Sequence, residues 1–140
     1  MLEVASYPQP PLGAGHLSVE YAPRPASVRE ARAEVRRRLE AWGLADVDDL
    51  VDTAELLVSE LATNVVRHSA SSPYRLTVFA AHGVLRCEVT AGALTEQTGR
   101  GMFLVAALAR RWGCYQDGTG KTVWFELGTC GADGCGRRQS

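Results

Sequence analysis

The stretch "ELLVSELATNVVRHS", Glu55 to Ser69, decides the reading of this sequence. Within it Glu60, Asn64, Arg67 and His68 recur at i, i+4, i+7 and i+8, which sets them on one side of a helix. Leu57, Leu61 and Val65 form an apolar stripe beside them. A helix fitted to a core therefore carries a polar column. Taken alone, Glu-x3-Asn-x3-His is also what the solvated side of any amphipathic helix looks like.

The segments around it set the fold class. Upstream, "HLSVEYAP" (16–23) alternates Leu17, Val19 and Tyr21 against Ser18 and Glu20 and reads as a half-buried strand. "ASVREARAEVRRRLEAWGL" follows, with Ser27 as expected N-cap and Glu30 completing a capping box. Val28, Ala31, Val35, Leu39 and Trp42 are its apolar stripe, and Gly43 its stop. The central helix is expected over 46–69, capped by Asp46, with Asp48, Asp49, Asp52 and Glu55 at its positive end. Downstream, "YRLTVFAA" and "VLRCEVTA" alternate on either side of His82-Gly83, a hairpin signal. "GALTEQTGRG" (92–101) reads as a loop, "MFLVAALARRWG" (102–113) as an amphipathic helix ending at Gly113, and "CYQDGTGKTVWFELG" (114–128) as a second hairpin. The expected class is α+β: a two-layer α/β sandwich, a mixed but mostly antiparallel sheet covered on one face by three helices. Residues 1–15 read as a flexible lead, 16–128 as one domain and 129–140 as a Gly/Cys tail.

Composition narrows the classes. The 140 residues are 46% hydrophobic and 22% charged, ordinary values for a globular domain. Fifteen Lys and Arg against sixteen Asp and Glu leave a formal charge of −1, without the basic excess of a nucleic-acid-coating protein. No run of eighteen apolar residues suggests a membrane span, and the first residues lack the pattern of a secretory signal, so a cytoplasmic location is expected. Cys87 and Cys114 fall in strand-like contexts where buried thiols are common. Cys130 and Cys135 read as free thiols of the tail, since a structural zinc needs four ligands.

The polar column has a chemistry. An Asn carbonyl can ligate Mg²⁺, a carboxylate can orient or activate an attacking hydroxyl, and Arg or His can donate to phosphate. Gly99-Arg100-Gly101, directly before a helix, would let backbone N–H groups approach an anion. Thr122 opens a strand after a glycine-rich turn, where its hydroxyl could reach a bound base.

Together, "ELLVSELATNVVRHS", "GRGMFLVAALARRWG" and "GKTVWFEL" resemble the N-box, glycine box and last strand of the GHKL (histidine-kinase-like, Bergerat fold) ATPase superfamily. Within it they resemble the anti-sigma-factor serine kinases, in the short single-domain form abundant in high-GC Gram-positive bacteria. The resemblance covers roughly residues 16–128 and implies Mg²⁺ and ATP as cofactors. It implies a serine/threonine kinase that sequesters a sigma factor and phosphorylates an STAS-type anti-anti-sigma factor, and it leaves room for a homodimer. Carried over by position, Glu60 is the catalytic carboxylate and Asn64 the Mg²⁺ ligand. Arg67 and His68 lie near the phosphates, Gly99, Arg100 and Gly101 flank the triphosphate, and Thr122 supports adenine recognition.

One position departs from that pattern. The aspartate that anchors the adenine amino group in similar proteins falls at Ala91, and neither Thr90 nor Gly92 beside it is acidic. The interval from Glu96 to Gly99 is also shorter than the usual lid. The alternative is therefore a nucleotide-impaired module of the same fold acting by protein contact alone. Arg29, Arg32, Arg36 and Arg37 on the first helix are either a partner surface or a solvated face paired with Glu30, Glu34 and Glu40.

Overall fold

The structure of the chain, a computed structural model, describes residues 14–68, 72–92, 102–118 and 120–129. Gly99, Arg100, Gly101, Glu96, Cys130, Cys135 and most of the lead and tail lie outside the described residues.

Among the described residues five strands and three helices follow in the expected order: β1 (Gly15–Tyr21), α1 (Pro25–Ala41), α2 (Leu50–His68), β2 (Tyr74–Ala81), β3 (Val84–Ala91), α3 (Met102–Leu108), β4 (Arg111–Asp117) and β5 (Gly120–Gly128). The strands form one sheet in the order β1-β2-β3-β5-β4. Every neighbouring pair is antiparallel, so the parallel component expected of a mixed sheet is not found among the described strands.

The β2–β3 hairpin shows how the sequence sets register. Tyr74, Leu76, Val78 and Ala80 alternate inward on β2, facing Leu85, Cys87, Val89 and Ala91 on β3. His82 (φ 56) and Gly83 (φ 81) close it with two left-handed residues, a turn whose twist matches the strands. The inward face continues through Val123, Phe125 and Leu127 of β5 and is covered by α1 and α2. The core is continuous: Val35 and Leu39 of α1, Leu57, Val58 and Leu61 of α2, and Leu76, Val78 and Phe125 of the sheet are all essentially inaccessible.

Three local expectations are corrected. Helix α1 starts at Pro25, with Arg24 at the N-cap and no side-chain cap. Proline suits the first turn because its missing N–H would have no partner there. Ser27 is instead buried, donating to the Arg24 carbonyl at 2.8 Å and sharing a 2.7 Å hydrogen bond with the Tyr74 hydroxyl, which ties α1 to β2. Helix α2 begins at Leu50, so Asp46 is not its cap; residues 45–49 form turns in which Asp49 takes φ 58. At 1.5 Å per residue α2 is about 28 Å long rather than about 35 Å.

The third correction lies at α3. This helix ends at Leu108, and Arg111, Trp112 and Gly113 belong to β4. Gly113 is no helix stop: it pairs with Trp124, and a Cβ there would meet the Trp124 ring at 2.9 Å. The indole fills the space that a side chain would need, which is why glycine fits inside this strand.

Candidate functional site

Helix α2 positions the polar column. Its buried residues are Leu50, Val51, Ala54, Leu57, Val58, Leu61, Ala62, Asn64 and Val65, so Asn64 falls inside the apolar stripe. Asn64 is 8% exposed. Glu60, one turn earlier, is partly exposed, as is His68, and Arg67 is exposed. The column thus runs from a buried amide to an open basic end. A side chain amide withdrawn into a stripe of Leu, Val and Ala is not what a merely solvated helix face presents, because its burial costs free energy unless its hydrogen-bonding capacity is used. The last turn of α2 holds Arg67 and His68, where cations are also favoured by the helix dipole.

Helix α2 packs against β3 and β5. At the end of β3, Ala91 is buried and faces the helices, with Lys121 of β5 as its cross-strand partner on the same face. The methyl group of Ala91 offers no hydrogen-bond acceptor there. Thr122 pairs with Thr90, and their hydroxyls meet at 2.7 Å. Since Val89 and Ala91 face inward, alternation turns Thr90 and Thr122 to the sheet face away from the helices. The structure therefore groups Glu60, Asn64, Arg67 and His68 on α2 and places Ala91 on the sheet face that α2 covers; it does not bring Thr122 to that face. Lys121, absent from the sequence reading, takes the inward position beside Ala91. Only the register, which a one-residue slip would invert, reveals this.

The far face of the sheet carries a second polar assembly that the sequence reading missed. Arg86 binds Glu88 at 2.8 Å and Glu126 at 2.9 Å, and its guanidinium lies 3.9 Å from the centre of the Trp124 ring. Arg111 reaches Glu126 at 3.4 Å. Glu126 is buried, so its charge depends on these two arginines. The signal was the alternation Arg86, Glu88 on β3 against Trp124, Glu126 on β5.

The arginines of α1 are largely engaged by carboxylates. Arg36 binds Glu55 and, at 2.9 Å, Asp52, both on α2. Arg32 lies 3.9 Å from Glu55, Arg37 binds Glu34, and Arg38 binds Glu34 at 2.8 Å. Asp52 and Glu55 thus pair across to α1 as well as standing near the start of α2. Cys87 is buried, and burial pushes its thiol well above the ordinary range, whereas Cys114 is exposed, unlike the buried thiol expected for it. Among the described residues no group of His, Cys, Asp and Glu is arranged to hold a metal ion, and no helix is long and apolar enough to cross a membrane.

The sequence matches no protein-family profile and no curated protein. In structure it is similar to the RsbU and RsbW domains of Rv1364c from Mycobacterium tuberculosis, with a TM-score of 0.63 and 19% sequence identity over 81% of this chain and 32% of that one. The chain spans about a third of the length of that structure. The likeness shows the fold: among the described residues, three helices on an open five-stranded antiparallel sheet, the α+β class expected from the sequence.

Proposed function

We propose that this chain is an anti-sigma-type regulator built on a serine/threonine-kinase scaffold, sequestering a sigma factor and acting on an STAS-type anti-anti-sigma factor, with a weakened Mg-ATP site. The observation that carries the proposal is the burial of Asn64 beside a partly exposed Glu60 on one side of α2. The fold likeness to a structure containing an RsbW domain supports it.

The residues fit the two halves of Mg-ATP unequally. On the phosphate side, the Asn64 carbonyl would hold Mg²⁺, Arg67 and His68 would offer N–H donors to phosphate oxygens, and Gly99, Arg100 and Gly101 would line the triphosphate. On the base side, Ala91 offers nothing to the adenine amino group, and Thr122 lies on the other sheet face. Bound Mg-ATP would supply the transferable phosphoryl group and the charge that balances it. Glu60 would align a serine hydroxyl of the partner and accept its proton on a carboxylate oxygen. The missing acceptor at Ala91 removes a charge-assisted hydrogen bond of about 1.5–3 kcal/mol, roughly 10- to 100-fold in affinity.

Thermal unfolding with and without Mg-ATP tests the reading. Binding stabilises the fold by about 2.7 kcal/mol at a hundredfold excess over Kd. Ala91→Asp should tighten binding roughly 10- to 100-fold. Glu60→Ala should bind Mg-ATP as before and lose phosphotransfer to an STAS-domain protein. The absence of any shift at millimolar Mg-ATP, in the parent and in Ala91→Asp alike, defeats the nucleotide site. Ala91 itself favours a second reading, in which regulation is by protein contact alone; sigma-factor binding that is unaffected by Mg-ATP and by Glu60→Ala would select it.

A further inference from the structure

Resting on the Mg-nucleotide reading of the site, we propose that Lys121 turns its base preference from adenine to a 6-oxopurine, so that GTP or ITP binds better than ATP. Two contacts fix where Lys121 stands. Gly120 takes φ 139, and a Cβ there would meet the Ala91 carbonyl oxygen at 2.7 Å, so the start of β5 lies close against the end of β3. On the sheet face away from the helices, the 2.7 Å hydrogen bond between the Thr90 and Thr122 hydroxyls holds the next pair and leaves Thr122 only 3% exposed. With the register held on both sides, Lys121 stands directly opposite Ala91, where paired Cβ atoms lie about 4.5–5.5 Å apart.

The next inward pair, Val89 and Val123, is apolar, so Lys121 brings a charge to the end of an apolar row. Lys121 is partly exposed: its four-carbon stem can lie along that row while the ammonium stays at the mouth. Among the described residues no carboxylate pairs with it. The stem is long enough to carry the ammonium into the space that an acceptor at position 91 would occupy. There the chemistry is reversed. A carboxylate would accept from the 6-amino group of adenine, whereas an ammonium has three donors and no acceptor. Toward adenine it sets donor against donor. Toward guanine or hypoxanthine it meets two acceptors, the 6-oxygen and N7, the pair by which lysine selects guanine in nucleic acids. Contacts of this kind separate one base from another by roughly 5- to 140-fold in affinity.

Calorimetric titration of the full chain with Mg-ATP, Mg-GTP and Mg-ITP provides the test. ITP differs from ATP only in carrying an oxygen in place of the amino group, with the N1 proton that accompanies it. GTP and ITP should bind roughly 5- to 140-fold more tightly than ATP. Lys121→Met keeps the stem and drops the ammonium; it should abolish the preference by weakening GTP and ITP without weakening ATP. Lys121→Arg retains the donors and should retain the preference, an outcome that a merely disturbed strand would not give. Asn64→Ala, on the phosphate side common to all three, should weaken them alike. ATP binding as tightly as GTP and ITP, or a preference that survives in Lys121→Met, overturns the role of Lys121 and leaves the nucleotide site standing. Binding of none of the three at millimolar concentration overturns both.

Discussion

Helices α2 and α3 are both apolar and lie in the same layer, yet the sheet uses them very differently. Nine residues of α2 are buried, while α3 buries Val105 alone and exposes Phe103, Leu104 and Leu108. Hydrophobicity sets how much surface a segment would gain by burial; position decides whether the fold grants it. Helix α2 crosses the middle of the sheet with α1 packed along it. Helix α3 packs against α2 and β4 and ends early because Arg111, Trp112 and Gly113 of its expected span belong to β4. The difference teaches that cohesion resides in the α1–α2 half, and that the α3–β4 half keeps much of its apolar surface exposed.

Five measurements would break or sharpen that contrast. The largest effect belongs to Leu57→Ala, which empties a fully buried position of α2 and should cost about 2–5 kcal/mol in urea unfolding. A cost under about 1 kcal/mol would contradict the central place given to α2. Next, Ser27→Ala should cost about 1–3 kcal/mol by stranding the buried Tyr74 hydroxyl, and adding Tyr74→Phe should recover part of the loss. On the other side, Gly113→Val forces a side chain into the Trp124 ring and should cost about 1–3 kcal/mol. A neutral result would mean that β4 gives way freely, making the contrast sharper still. Phe103→Ala should change stability by no more than about 0.5 kcal/mol, since the ring is open to solvent. The mildest probe alters nothing: iodoacetamide should label Cys114 in the native protein and spare Cys87, whose buried thiol resists forming thiolate, until the chain is unfolded. Rapid labelling of Cys87 would expose a loose core.

The same contrast tracks what the sequence made legible. The β2–β3 hairpin could be read because alternation and His82-Gly83 agree, and α2 because its apolar spacing runs unbroken over five turns. At α3 the signals diverge. The apolar period continues smoothly through "LARRW", and nothing local reports that Trp124, twelve positions beyond Trp112, will claim the space above Gly113. The Ser27 cap was a sound local motif overridden by a tertiary partner, Tyr74. In the candidate site, the helix spacing of Glu60 and Asn64 was visible directly, but the burial of Asn64 depends on the sheet beneath it. The facing of Thr122 and Lys121 depends on a register that no short window contains. Gly99, Arg100 and Gly101 remain a reading of the sequence.

One consequence of the strand order concerns the path by which the chain reaches this form. β2 and β3 pair across a two-residue turn, and β4 and β5 are likewise neighbours in sequence, so both hairpins can close early. β1 pairs with β2 only across the whole of α1 and α2. That closure carries the largest loop entropy among the strand pairings and repays it only once both helices have settled on the sheet. The first strand of the chain is thus positioned to be among the last to dock, making its edge of the sheet the natural place for unfolding to begin.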